Sequence, residues 1–465
     1  MLAKDKIFRE YDIRGVVDSD FDEEFARELG RAFGAKAHAT FERAPGTGVR
    51  IAVGRDCRVS GEKLAAALMA GLQDAGVAVV DCGMGPTPQL YHAVFSRALD
   101  GGIQVTGSHN PADQNGFKMM IGRTTLSGTA IQDLRERIAT HRAGGFIPTA
   151  GPEPEQFDAR APYIADLVER SRPEMGQRKL KVVVDAGNGV GGLVGPEVLR
   201  ALGCEVLELY TEPDGTFPNH HPDPTELENI VELRRKVVEE GADLGIGYDG
   251  DADRIGVIDQ KGEPIYGDML LLIYGRHLVK HVEHPTIIGD VKCSEVVFRE
   301  LEKAGAKPVM AKTGHSLIKA KLKELDAELA GEMSGHVFFV HRYYGFDDAI
   351  HATARLVEIL SHTEGSVSDL LADVPPVFST PELRFDCPDE VKFRVVETAQ
   401  KSFPEFEVNT LDGARITFPY GWGLVRASNT QAALVMRFEA DSADRLSEYR
   451  SLVEDRVASI RDQLL

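Results

Sequence analysis

The chain has 465 residues, 43% hydrophobic and 27% charged, with 73 acidic against 53 basic side chains and a formal net charge of −20. That length holds three or four domains of ordinary size, and the acidic excess argues against nucleic acid or a membrane surface as the main partner. The cysteines Cys57, Cys82, Cys204, Cys293 and Cys387 show no CxxC spacing, Met1 to Gly15 has no apolar signal core, and no apolar run reaches membrane-spanning length. A cytoplasmic protein with reduced thiols is expected.

After Phe8-Arg9-Glu10-Tyr11-Asp12-Ile13-Arg14-Gly15, the pattern predicts a helix from Glu23 to Ala37 and a strand from Val49 to Val53 that ends at Gly54-Arg55-Asp56. Ser60 is the expected cap of a helix bearing Leu64, Leu68 and Leu72, and Gly76 ends it before a strand at Val77 to Val80. The same order returns twice. Lys181 to Val184 ends at Asp185, a helix closes at Ala201-Leu202-Gly203, and Glu205 to Leu209 follows; then Thr286 to Ile288 ends near Asp290, a helix closes at Lys303-Ala304-Gly305, and Lys307 to Met310 follows. Each copy is followed by a further strand ending in a polar loop: Ser108, then Tyr248-Asp249, then Gly331-Glu332. The repetition predicts an α/β protein of three similar domains, each sheet covered by helices on both faces, with loops aimed at one shared cleft from the carboxyl ends of the strands.

Arg142 to Pro154 and Asp373 to Pro381 read as linkers, and the last ninety or so residues as a small α+β domain: a strand near Leu383 to Phe385, a helix from Val391 to Ser402, strands at Ala414 to Phe418, Trp422 to Ala427 and Ala433 to Phe438, and a long helix from Ser442. Trp422 is expected at its working edge. The expected divisions are residues 1–150, 151–260, 261–374 and 375–465.

Gly101 to Val105 is a short apolar run that delivers Ser108 onto a turn, with His109 beside it and Lys118 ten positions on. Glycine at 107 permits a tight path and Asn110-Pro111 stops a helix, so Ser108 is expected exposed at a strand end. His109, a sequence neighbour, is expected to face the other way, which weakens an acyl-transfer reading. Asp249, Asp251 and Asp253 alternate so that three carboxylates can converge, which calls for a hard cation, Mg²⁺ or Ca²⁺. The EF-hand pattern fails, because Arg254 replaces the loop glycine and Gln260 the closing glutamate. A magnesium completed by waters and a phosphate oxygen is the better reading, and a phosphorylated Ser108 would supply that oxygen. Glu332, Ser334 and His336 suit sugar hydroxyls, and Arg426, Ser428, Asn429 and Thr430 suit a phosphate. A competing class rests on the GxGxxG at Gly187 to Gly192 after a strand, with Glu208 about twenty residues on, which would make the protein an NAD-dependent dehydrogenase. Asp185 beside the pyrophosphate position opposes it.

The motifs TGSHNP (Thr106 to Pro111), the Asp249 to Arg254 turn, GEMSGH (Gly331 to His336) and RASNT (Arg426 to Thr430) stand in the order of the α-D-phosphohexomutase superfamily. YDIRG (Tyr11 to Gly15), NHHPDP (Asn219 to Pro224) and KTGHSLIK (Lys312 to Lys319) extend the resemblance over nearly the whole chain, and the wording of GEMSGH and GWGLVRASNT is most similar to the bifunctional phosphomannomutase/phosphoglucomutase branch. The resemblance implies three α/β/α mixed-sheet domains plus a C-terminal α+β domain around a central cleft. It implies reversible transfer of phosphate between the 1- and 6-positions of hexose phosphates, through phosphoserine 108 and a 1,6-bisphosphate such as glucose 1,6-bisphosphate. It assigns Mg²⁺ to Asp249, Asp251 and Asp253 with Ser108, sugar hydroxyls to Glu332, Ser334 and His336, and the distal phosphate to Arg426, Ser428, Asn429 and Thr430. Tyr11, Arg14, Lys292 and His315 become further cleft contacts. Arg254 and Lys118 face the transferring phosphoryl group, and either Lys118 or His109 is the general acid/base. A phosphoglucosamine mutase is the alternative within the class, and a catalytically silent sugar-phosphate binder lies outside it. Hexose phosphates are the expected partners of a monomer. Two positions depart from the family pattern: Ala252 replaces a usual glycine, with small effect expected unless φ is positive there, and Met269 replaces a usual arginine, which puts one sugar-phosphate contact in question.

Overall fold

The structure, a computed structural model, describes residues 4–428 and 432–465. The three repeats build one topology. In the first, the parallel strands Ala78–Met84, Arg50–Arg55 and Gly101–Val105 lie side by side in that order, and Gln114–Ile121 returns antiparallel beside the last. The second repeat orders Glu205–Leu209, Lys181–Asp185, Leu244–Tyr248 and antiparallel Ile255–Asp259 in the same way. The third does so with Lys307–Ala311, Thr286–Asp290, Leu329–Gly331 and antiparallel Val337–Phe339. In each, the polar loop is the turn from the third parallel strand into its antiparallel neighbour, so all three open beyond strand carboxyl ends, where open α/β sheets bind ligands. In the first sheet Ile13–Val16 also pairs with Gln114–Ile121, setting Arg14 opposite Gly116.

Alternation along the strands splits the first sheet between two cores. Ile51, Val53, Ile103 and Phe117 join the helices Glu23–Thr40 and Gly61–Asp74 on one face. Ala52, Val80 and Met120 face Leu90 and Tyr91 on the other, in a core that runs on through the second and third domains. That shared core holds a helix for which no element was predicted, Ala349–Ser361, with all of its residues buried. Its charges are paired internally: Glu358 takes Arg355 at 3.5 Å and Arg342 at 3.0 Å.

The C-terminal domain is an antiparallel sheet in which Ala414–Phe418, Gly421–Ala427 and Ala433–Ala440 are consecutive neighbours, backed by the helices Lys392–Ala399 and Ala443–Leu464. Ser442 caps the long helix through the Arg445 N–H, as its position before an apolar periodic run suggests. Two expectations fail. Ser60 makes no cap bond: its backbone is already helical, at φ −78 and ψ −11, and its hydroxyl accepts from Asn115. Trp422 is at no working edge: it is 3% exposed, packs with Val291, Leu424 and Met310 between the third and fourth domains, donates to Glu439 Oε1 at 3.0 Å, and has the Arg415 guanidinium 4.2 Å from its ring. Among the described residues no helix is long and apolar enough to cross a membrane.

Candidate active site

Ser108 is not exposed: it is 1% accessible, because the Asp249 turn closes over it and leaves no room for a Cβ at Gly250 beside the Ser108 carbonyl oxygen. The left-handed backbone falls on Ser108 itself, at φ 51, and not on Gly107. Glycine is needed at 107 for another reason, since a Cβ there would lie 2.5 Å from the guanidinium carbon of Arg58. Because Ser108 leaves the extended conformation, strand alternation no longer separates it from His109, whose Nδ1 stands 3.1 Å from Ser108 Oγ. The serine hydroxyl donates to Asp249 Oδ2 at 2.9 Å, joining the first domain to the second. Burial, then Arg254, Arg14 and Lys118, push the His109 imidazole well below its ordinary range, so the ring is neutral near pH 7.

Asp249, Asp251 and Asp253 are wholly buried, with carboxylate oxygens within 4.8 Å of one another. The turn is tight: Asp249 Oδ1 accepts the backbone N–H groups of Asp253 and Arg254, each at 3.1 Å. Ala252 sits at its tip with φ 58, so the condition under which the family glycine matters is met. Lys118 Nζ donates to Asp251 Oδ2 at 2.6 Å and to Asp253 Oδ2. Asp251 Oδ1 is buried with no hydrogen-bond donor. Three hard oxygen-donor side chains, two of them (Asp251 and Asp253) with a buried Oδ1 that lacks a hydrogen-bond donor, fit a divalent cation that takes its remaining ligands elsewhere. Burial and the charges of Asp251 and Asp253 drive Asp249 far up, whereas Lys118 and His336 overcome burial at Asp253 and hold it far down. Burial opposes the Lys118 charge, but Asp251 and Asp253 prevail and raise its pKa, so the side chain that bridges these two carboxylates is an ammonium.

The third loop joins directly to the second. Arg254 and His336 form a backbone bridge, and Arg254 Nε lies 3.4 Å from His336 Nε2. His336 Nδ1 meets Glu332 Oε2 at 2.8 Å while its Nε2 lies 3.3 Å from Asp253 Oδ1. Burial opposes both charges, yet Asp253 and Glu332 lift His336 to about 9 and the His336 contact holds Glu332 at about 2. The other oxygen of Glu332 accepts the Gly314 N–H at 2.6 Å, and Ser334 Oγ lies 3.3 Å from His336 Nδ1. His315 stacks on His336 with ring centroids 5.9 Å apart and contacts Asp347 at 3.2 Å, which also binds Lys319 at 2.7 Å.

The remaining contacts close the ring of domains. Tyr11 donates to the Thr313 carbonyl at 2.8 Å, and the Thr313 N–H donates to Asp412 Oδ2 at 3.0 Å. Asp412 in turn receives Arg426 Nε at 3.1 Å, which orients the guanidinium of the fourth loop. Lys292 pairs with Glu382 at 3.0 Å, and its charge holds that carboxyl at about 2 against burial. Arg14 is fixed by Asp12 at 2.6 Å and reaches Asn110 Oδ1 at 3.2 Å, on the serine turn. Ser428 is buried and its carbonyl accepts Lys392 Nζ at 2.6 Å; Asn429 and Thr430 lie outside the described residues. Met269 packs partly buried against the shared core, so the position of the usual arginine is apolar here.

Sequence reasoning missed Asp56, Arg58, Lys319, Asp347, Glu382 and Asp412. Asp56 and Arg58 follow the strand Arg50–Arg55 at its carboxyl end, the same signal that singled out Ser108. The GxGxxG stretch is packing: a Cβ at Gly187 would meet His220 and Pro222, one at Gly189 would meet Gly250, one at Gly191 the Tyr248 ring, and one at Gly192 the Thr211 carbonyl. Glu208 bonds Arg200 and Thr211, which leaves no dinucleotide fingerprint.

Three copies of one sheet that bring a buried serine, a carboxylate triad and a Glu–His loop together, closed by a C-terminal domain that presents Arg426, define a sugar phosphomutase. The chain belongs to the phosphoglucomutase/phosphomannomutase family. It matches the family's alpha/beta/alpha domains I, II and III over residues 5–143, 161–262 and 266–378, and its C-terminal domain over 382–456. The phosphomannomutase/phosphoglucomutase of Pseudomonas aeruginosa is 44% identical over 463 residues, 98% of this chain and 96% of that one. The phosphoglucomutase of Neisseria gonorrhoeae is 41% identical over 444 residues, covering 94% and 93%. A crystal structure of a phosphoglucomutase/phosphomannomutase family protein from Burkholderia thailandensis superposes with a TM-score of 0.90 at 41% identity, covering 99% of this chain and 98% of that one.

Proposed function

We propose that this protein reversibly moves phosphate between the 1- and 6-positions of mannose and glucose phosphates, with Ser108 as the phosphoryl carrier. The observation that carries the reading is the buried Ser108 hydroxyl, 2.9 Å from Asp249 of the carboxylate triad. Phosphoserine 108 gives its phosphoryl group to the free 6-hydroxyl of the sugar 1-phosphate; the P–O bond to Ser108 breaks as the new one forms, and the sugar hydroxyl proton passes through His109 to Ser108 Oγ. The resulting 1,6-bisphosphate turns over and returns its 1-phosphoryl group to Ser108; the P–O bond at the sugar 1-oxygen breaks, the Ser108 hydroxyl proton passes back to that oxygen, and the 6-phosphate is released. Asp249, Asp251 and Asp253 are the residues that would hold Mg²⁺ with the phosphoserine, and the ion supplies positive charge to the phosphoryl oxygens.

The charge states divide the remaining work. Lys118 and Arg254 face the transferring group as cations. His109, neutral and 3.1 Å from Ser108 Oγ, is the proton acceptor of the pair. Glu332, Ser334 and His336 take sugar hydroxyls; Arg426 and Ser428, with Asn429 and Thr430, take the phosphate that is not being transferred; Tyr11, Arg14, Lys292 and His315 complete the cleft. All four loops come from one chain, which supports a monomer as the working unit, and the chemistry suits the cytoplasm. A coupled assay with mannose, glucose and glucosamine 1-phosphates, each with a trace of glucose 1,6-bisphosphate, tests the reading. Turnover of the first two, abolished in Ser108→Ala, is expected; turnover confined to the glucosamine phosphate would make the protein a phosphoglucosamine mutase.

A further inference from the structure

Behind the serine turn lies a buried ion pair with no place in the chemistry just described. Arg58 is wholly buried and Asp56 nearly so. All five N–H groups of the guanidinium are used: Nε by Asp56 Oδ2 at 3.1 Å, Nη1 by the carbonyls of Pro111 and Gln114 at 2.5 and 2.9 Å, and Nη2 by those of Ser108 and Asn110 at 2.8 and 2.6 Å. Asp56 holds the other end of the turn. It accepts Thr106 Oγ1 at 2.7 Å and the Gly107 N–H at 3.2 Å, and Thr106 Oγ1 accepts the Ser108 N–H at 2.8 Å. The carboxylate thus gathers the donors of residues 106–108, and the guanidinium gathers the acceptors of residues 108–114.

Two consequences bear on Ser108. A serine takes φ 51 only where its surroundings impose it, and the Ser108 carbonyl is pinned by Arg58 while its N–H is pinned through Thr106. Four carbonyl dipoles of the turn also point at Arg58, so a dianionic group on Ser108 Oγ does not share its space with them. The second domain seals the arrangement, with the Phe217 ring 5.1 Å from the guanidinium.

We infer that Arg58 is a positioning residue for phosphoryl transfer: it fixes the backbone of Ser108 so that Oγ meets the carboxylate triad, and it governs the rate of transfer without contributing to sugar binding. The inference rests on the phosphoserine reading above. Lysine keeps the charge but is a point donor with three hydrogens, and cannot serve four carbonyls and Asp56 together. The test is steady-state kinetics of Arg58→Lys and Arg58→Ala on glucose 1-phosphate, with phosphoserine occupancy measured by intact mass and guanidinium ion added back to Arg58→Ala. In Arg58→Lys a kcat loss on the order of 100-fold is expected, the cost of misplacing a reacting atom by ~1 Å, with KM within about threefold. Guanidinium should restore part of kcat in Arg58→Ala, and methylammonium should restore less. A kcat within about twofold of wild type in Arg58→Lys would overturn the inference, as would a loss confined to KM. If Arg58→Ala does not fold, Gly107→Ala answers the same question, since its methyl displaces the guanidinium while keeping the charge; a wild-type kcat there also overturns it. Ser108→Ala run in parallel separates the two claims. An inactive Ser108→Ala beside a wild-type-like Arg58→Lys leaves the mutase reading standing and removes Arg58 from it, whereas an active Ser108→Ala removes both.

Discussion

Lys118→Met isolates the electrostatic balance of the site. The Lys118 ammonium is 2% exposed, lies 2.6 Å from Asp251 Oδ2 and also binds Asp253. Methionine keeps most of the buried chain but removes the charge, leaving three wholly buried carboxylates whose oxygens lie within 4.8 Å of one another. Breaking a buried pair by deleting one partner costs about 3–5 kcal/mol, because the surviving charge is neither solvated nor compensated. In chelator, urea unfolding of Lys118→Met should therefore show a loss of that size against wild type. Magnesium should restore most of it, since a cation at the triad supplies the missing charge. Linkage gives ~2.7 kcal/mol at a free ion concentration 100 times Kd, and the increment should be larger in the mutant, where no ammonium competes for Asp251 and Asp253. Equal magnesium increments in the two proteins, or a loss below ~1 kcal/mol in chelator, would refute this account of the triad.

Further expectations concern the turn, the closure between domains and the response to acid. At Ala252, glycine relieves ~1 kcal/mol of left-handed strain but gives up about 0.8 kcal/mol of methyl burial and adds about 0.4–1 kcal/mol of chain entropy, so Ala252→Gly should shift unfolding by less than about 1 kcal/mol. Valine at the same φ of 58 should cost more than ~2 kcal/mol, and equal midpoints for the two variants would contradict the strain argument. A Cβ on Gly314, at φ 128, would collide with the Tyr11 ring, so Gly314→Ala should raise KM for sugar phosphates by separating the first and third domains; an unchanged KM counts against that contact as a closure point. Burial, then His281 and Arg355, depress His277 to about 3. Its ring is neutral when folded but takes a proton near pH 6.5 when unfolded, so its contribution is complete above pH 6.5 and is lost as pH falls toward 3, by at most ~1.4 kcal/mol per unit. Unfolding midpoints between pH 7 and 4 should therefore fall less steeply in His277→Gln, and parallel slopes would exclude the assignment.

What could be read from the sequence was what repeats. The strand–helix–glycine order appears three times, so the sheets and the chain positions of Ser108, Asp249 and Glu332 at strand ends were all legible. Conformations imposed from another domain were not. The left-handed turn at Ser108 depends on Arg58, fifty residues earlier, and on Gly250 closing from the second domain, so glycine 107 drew attention that belonged to the serine. Lys118 could be named as a cation near the chemistry, but its pairing with Asp251 and Asp253 is seen only when the folded chain brings them to it. Trp422 reads as an edge residue by position and is buried because the third domain supplies Val291 and Met310 against it. The helix Ala349–Ser361 carries Arg355 and Glu358 among apolar residues, a pattern that masks full burial until the ion pair between them is seen.

The central claim is that Ser108 carries the phosphoryl group, and the most direct measurement follows that group. The enzyme is labelled with isotopic phosphate, the labelled residue is located by peptide mass analysis, and the labelled protein is mixed with unlabelled glucose 1-phosphate or mannose 1-phosphate in a single turnover. The account predicts label on Ser108 alone, leaving it in stoichiometric amount and appearing on the 6-position of the sugar. Label that stays on the protein, or resides on another residue while isomerisation proceeds, would contradict it.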